Sequence, residues 1–159
     1  MGGPSPVAES LQDHYAPEDS CFGCGPRNER GLRIKSRPEG DEVVLDWTPE
    51  AHHQGYTGFL NGGIIGTLFD CHSNWTAAYR LMLRRGDGVL PCTVTAEFAV
   101  RLRRPTPAGG PVRVRARVVE LGEDRAVVEA VLESGGQATA TCRGVFVAVK
   151  PGHPAYHRW

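Results

Sequence analysis

The chain has 159 residues, with 18 Lys+Arg against 18 Asp+Glu, so its formal net charge is zero. Hydrophobic residues make up 40% and charged residues 23%, which suits one packed domain and is too apolar for a disordered chain. The balanced charge excludes a general pull toward nucleic acid or an anionic membrane, and no apolar run approaches the roughly 20 residues that span a bilayer.

Residues 1–20 hold Gly, Pro and polar residues without periodicity and are expected to form an arm, mobile or draped on the body. They lack a basic stretch followed by an apolar one, so no secretory signal and a cytoplasmic location are expected. The five cysteines are an odd number, and three lie in apolar or regular segments, which predicts reduced thiols. Residues 21–31 (CFGCGPRNERG) read as a compact loop, and 32–36 as a possible strand. Cys21-x-x-Cys24 has no second Cys/His pair at clear metal spacing, so no metal is expected. Residues 42–47 alternate as a strand that Pro49 ends, and 51–60 (AHHQGYTGFL) form an irregular loop.

From Asn61 to about Leu83 the spacing predicts one long helix. Asn61 is a good N-cap, and Arg84, Arg85 and Gly86 make a stop. Ile64, Ile65, Leu68, His72, Trp75, Thr76 and Tyr79 form its apolar stripe. Gly63, Gly66, Asp70, Ser73 and Ala77 form a second, small-sided stripe carrying one carboxylate. A carboxylate on such a face needs partners or a task. Cys71 points about 100° away from Asp70 and is expected to pack, as is His72. Four strands follow, at 92–103, 112–120, 125–133 and 137–149, joined by Gly-rich turns. The first alternates throughout, with Val94, Ala96, Phe98, Val100 and Leu102 opposite Thr93, Thr95 and Arg101. One helix covers only one face of such a sheet, so the open face and the edges call for a homodimer or homotetramer. The domain is expected to span 21–150, with 151–159 as a tail.

The glycine-flanked helix start, Asn61-Gly62-Gly63, offers free N–H groups and a positive dipole end to a phosphate, a carboxylate or a developing oxyanion. Asp70 lies roughly 13 Å further along the axis; from a neighbouring chain it would face those donors. His53, Tyr56 and Asn74 are candidates for the pocket wall. Arg101, Arg103, Arg104, Arg113, Arg115 and Arg117 lie on polar strand faces and are candidates for anion contacts or a solvated surface.

The stretch 56–70 (YTGFLNGGIIGTLFD) resembles the helix start of hot-dog-fold thioesterases of the PaaI-like, phenylacetate-pathway type. These usually carry His-Gly-Gly, six residues, then Asp or Glu. CFGCGPRN with Gly31-Leu32 resembles a leader in one branch of that superfamily. The strand 95–103 followed by Arg104-Pro105 resembles a third family segment. The resemblance implies an α+β hot-dog fold, a curved antiparallel sheet of about five strands around one helix. It also implies hydrolysis of an acyl thioester, acyl-CoA first, with no cofactor beyond the coenzyme A of the substrate. Asp70 would be the base or nucleophile, Gly62 or Gly63 the oxyanion donor, and Thr95 the hydroxyl that helps hold water. Coenzyme A phosphates would meet Arg103 and Arg104. Asn61 departs from the family His: it can cap and donate, but it cannot exchange a proton. A non-hydrolytic ligand-binding protein and a hot-dog lyase or dehydratase are the alternatives.

Overall fold

The computed structural model describes residues 9–157. Residues 1–8 of the expected arm, and Arg158 and Trp159 of the expected tail, lie outside the described residues. The order is α1 (Leu11–Tyr15), β1 (Arg37–Glu39), β2 (Glu42–Trp47), a 3-10 turn at Ala51–His53, α2 (Gly62–Arg85), β3 (Thr93–Leu102), β4 (Val112–Leu121), β5 (Arg125–Ser134) and β6 (Gln137–Ala148). The strands form one antiparallel sheet in the order β1-β2-β4-β5-β6-β3. It curves around α2, which packs on β2 to β6, as in the hot-dog fold. Six strands replace the expected five, because Gly40 at φ +64° turns the chain after β1 into a short hairpin with β2. The strand falls on 37–39 rather than on 32–36.

α2 begins and ends where its sequence signals lie. The Asn61 side chain accepts the N–H groups of Gly63 and Ile64, and Gly86 adopts φ +70° while its N–H bonds the Met82 carbonyl. Leu68, Phe69, Trp75 and Leu81 are fully buried against Val114, Ala116, Val128, Leu132 and Phe146 of the sheet. Alternation supplies those strand residues to one face. Phe69 and Trp75 are thereby core residues.

The segment before Cys21 carries structure of its own. Ser10 caps α1, and Leu11 and Gln12 are buried. Gln12 and Ser36 bond each other twice, and Ser36 Oγ lies 2.7 Å from His72 Nδ1. His72 Nε2 is 2.9 Å from the Val43 carbonyl, which only accepts, so Nε2 carries the proton and Nδ1 accepts from Ser36. Complete burial pushes the imidazolium pKa down to about 4. Unfolded His72 takes a proton below its ordinary 6.5, which the folded chain refuses until about 4. Stability from this residue is therefore whole above pH 6.5 and falls by about 3 kcal/mol as pH drops through that window. Urea midpoints measured from pH 7 to 4 should show this fall, and His72→Gln should flatten it.

The sheet face turned away from α2 does not itself demand a partner. It is a ladder of ion pairs. Arg113 grips Asp46 through two bonds of 2.8 and 3.0 Å, Arg115 bonds Glu133 at 2.6 Å, and Arg143 bonds Glu129 at 2.8 Å. These residues also sit opposite one another in register or one strand apart. Exposed pairs of this kind add little stability, but they make a face suited to water. The edges differ. β1 is three residues long and contains Pro38, which blunts it. β3 is ten residues long and pairs only with β6 among the described residues, with Phe98 43% and Leu102 57% exposed.

Candidate active site

Two cavities flank α2, and they divide the candidate residues between them. The larger, about 690 Å³, opens at the N-terminus of the helix. Tyr56, Phe59, Leu60, Ile65, Leu102 and Pro105 give it apolar walls, with Asn61, Gly62, Arg103 and Arg104 at its polar positions. The smaller, about 230 Å³, is polar and is lined by Asp19, Cys21, Cys24, Asp70, Cys71, Asn74, Trp75, Thr93 and Thr95.

At the larger cavity the cap decides which backbone donor is open. Asn61 Oδ1 accepts from Gly63 N–H at 2.8 Å and from Ile64 N–H at 3.2 Å. Ile65 N–H bonds the Asn61 carbonyl at 3.1 Å. The N–H of Gly62 has no partner among the described residues, and Gly62 lines the cavity whereas Gly63 does not. Of the two glycines, Gly62 is the one that presents a free donor at the positive end of the helix dipole. The side-chain oxygen of Asn61 is spent on capping.

Opposite Gly62 the strand end is held by Thr139, whose carbonyl accepts the N–H groups of Arg103 and Arg104 at 2.9 and 3.2 Å. Arg104 also bonds the Gln137 amide oxygen at 3.1 Å. Arg113 and Arg115 are engaged in the outer ladder, which leaves Arg103 and Arg104 as the arginines at the cavity. His53, expected in the pocket wall, lines neither cavity. It is buried, its Nδ1 accepts the Glu50 N–H at 2.9 Å, and its ring lies 5.0 Å from that of Trp47. Phe98 lines neither cavity, whereas Leu60, Ile65 and Leu102 were not anticipated as wall residues.

At the smaller cavity Thr95 Oγ1 donates to Asp70 Oδ1 at 2.6 Å. Strict alternation along β3 would place Thr95 and Phe98 on opposite faces. The pairing shows why they share one. Thr95 pairs with Phe146 and Glu97 with Val145, so Ala96 is an extra residue, a β-bulge. Thr93 and Thr95 before it, and Phe98, Val100 and Leu102 after it, all lie across from buried β6 residues on the helix side. The bulge thus aims a hydroxyl at Asp70 while keeping the apolar half of the strand turned the same way.

Burial raises the Asp70 pKa above the ordinary carboxylate 3.8, against the lowering effect of the Thr95 hydrogen bond. Asn74 Nδ2 donates to the Thr93 carbonyl at 3.3 Å. Asn74 Oδ1 and Thr93 Oγ1 are buried in this wall with no partner among the described residues. A carboxylate, a hydroxyl and unpaired oxygens around one small polar cavity suit a held water.

A family profile for the thioesterase superfamily matches residues 57–141, over half the chain. A search of curated proteins found no match. Among solved structures, a thioesterase superfamily protein from Shewanella loihica is 26% identical over 88% of this chain and 100% of its own, with a TM-score of 0.68. The E. coli PaaI protein, from the phenylacetic acid degradation operon, is 17% identical over 75% of this chain and 81% of its own, with a TM-score of 0.63. A Haemophilus influenzae thioesterase is 16% identical over 77% of this chain and 84% of its own, with a TM-score of 0.64. The last two likenesses are of fold. With the profile match and the curved sheet around α2, they show that the chain belongs to the thioesterase superfamily and has its hot-dog fold.

Proposed function

We propose that the protein hydrolyses acyl thioesters, acyl-CoA foremost, at a site shared between two copies of the chain. The observation that carries this reading is the division of the site. Gly62, with its open N–H, and Asp70, with its Thr95 hydrogen bond, occupy different cavities of one chain. About 12 Å of helix separates them, whereas reacting groups must come within roughly 3 to 3.5 Å. A second chain joined along the free β3 edge supplies the missing half to each. The length of β3 and its exposed Phe98 and Leu102 support that pairing.

In this reading the acyl chain enters the apolar cavity beside Ile65 and Leu102, and the thioester oxygen accepts the Gly62 N–H. Asp70 of the other chain, ionised, takes a proton from a water that Thr95 helps hold, and the resulting hydroxide attacks the carbonyl carbon. The tetrahedral oxyanion is stabilised at Gly62. Its collapse breaks the C–S bond and expels the coenzyme A thiolate, which takes the proton from Asp70 and restores the carboxylate, with Arg103 and Arg104 placed to meet phosphate. The Asn61 side chain takes no proton in this scheme; it fixes the helix end. A lyase reading needs a histidine at the reacting centre. His72 has both ring nitrogens engaged in the core, and His52 and His53 line neither cavity, so none of the three is placed for it.

The direct test is free-thiol release from a panel of short, long and aromatic acyl-CoAs. Release is expected, with the preferred acyl group sized to the cleft. Saturable acyl-CoA binding by a folded oligomer without thiol release would instead make this a binding protein.

A further inference from the structure

The leader and the central helix bring three thiols together. The Sγ atoms of Cys21, Cys24 and Cys71 all lie within 4.8 Å of one another. Cys21 Sγ and Cys71 Sγ are 3.8 Å apart, and all three cysteines are unpaired by disulfides. A tetrahedral zinc with Zn–S bonds of about 2.3 Å places its sulfurs about 3.8 Å apart. Cys21 and Cys71 are thus already at ligand spacing, and Cys24 lies within about an ångström of it.

The surrounding chain is shaped to hold them so. Gly25 N–H bonds the Cys21 carbonyl at 2.9 Å and closes a tight turn. A Cβ on Gly25 would collide with the backbone of Asp19 and Cys21, and one on Gly23 would collide with Cys71 Sγ. Gly23 is therefore what lets the helix thiol reach the loop. Trp75 Nε1 donates to Cys24 Sγ at 3.3 Å. N–H groups directed at sulfur are the outer partners that thiolate ligands use.

We propose that Cys21, Cys24 and Cys71 form a binding site for a thiophilic divalent cation, zinc above all, with its fourth position facing the small cavity that Asp70 also lines. Binding releases thiol protons to solvent and fastens the leader to α2. The soft donor set selects against magnesium and calcium.

The test uses the full chain, reduced, freed of metal and titrated with Co²⁺ alone. A thiolate-to-cobalt charge-transfer band is expected, saturating at one cobalt per chain with the visible bands of a tetrahedral ion. One equivalent of Zn²⁺ should bleach it. Cys24→Ser and Cys71→Ser should each weaken cobalt binding by more than the roughly 100-fold that loss of an outer partner costs. Cys142→Ser, a buried thiol outside the cluster, should bind as the wild type does. Cys21→Ser alters the least buried of the three and keeps the test open if the other two variants fail to fold. A reduced, folded wild type with no charge-transfer band at stoichiometric cobalt overturns the site. So does a band that survives Cys21→Ser together with either other substitution.

Discussion

Asp70→Asn is expected to lower kcat for acyl-CoA hydrolysis by about 10² to 10⁴, the range for a lost general base, while the oligomer elutes unchanged. The substitution is chosen for shape. Asn keeps an oxygen that can accept the Thr95 hydroxyl at its 2.6 Å position and removes only the ability to take a proton. The wild-type acid limb of kcat/KM reports the same group. Burial holds the Asp70 pKa above 3.8, so activity should fall as pH drops through a value above 3.8 while the carboxylate takes up a proton. Stability has the opposite sign here, since protonation relieves the buried charge. A folded Asp70→Asn protein with near-normal kcat would reject the mechanism.

The second large effect concerns Gly62. Proline is tolerated at the first position of a helix and lacks the N–H. Asn61 already has φ −63° and ψ 135°, a conformation that a following proline accepts. A Cβ at position 62 comes within 3.2 Å of Leu102 Cδ1, the movable end of a side chain. Gly62→Pro should therefore keep α2 and cost about 10² to 10³ in kcat. Combined with Asp70→Asn it tests the shared site. In a two-fold dimer each site takes Gly62 from one chain and Asp70 from the other. A heterodimer of the two variants then has one intact site and one doubly damaged site. Equal mixing with subunit exchange makes about half the dimers mixed, so about a quarter of wild-type activity should return. Mixtures no more active than either parent would place both groups in one chain.

The sequence made some of this legible for identifiable reasons. α2 is bounded by an Asn cap and a left-handed Gly86, both local signals, and the first half of β4 alternates cleanly because one face is core and the other carries charged residues. β1 was missed because three residues around Pro38 carry no period, and α1 because its stabilising partners, Lys35 and Ser36, are distant in sequence. The bulge at Ala96 left no local mark, yet it decides what Thr95 touches. Cys71 packs against the core as its helix position suggests, but nothing in its neighbourhood on the helix announces the loop thiols that meet it. Chain order could place Asp70 and Gly62 on one helix, but only the folded cavities show that they open to different spaces.

The Asn61 cap also sets how many oxygens the helix end can serve. With the Gly63 and Ile64 donors occupied, one N–H remains. A tetrahedral oxyanion concentrates its charge on a single oxygen and is matched by that one donor. The product acid spreads the same charge over two oxygens and leaves one of them unserved. For thioester hydrolysis, such a monodentate helix end tells transition state from product, so the released carboxylate is held weakly and product inhibition stays low.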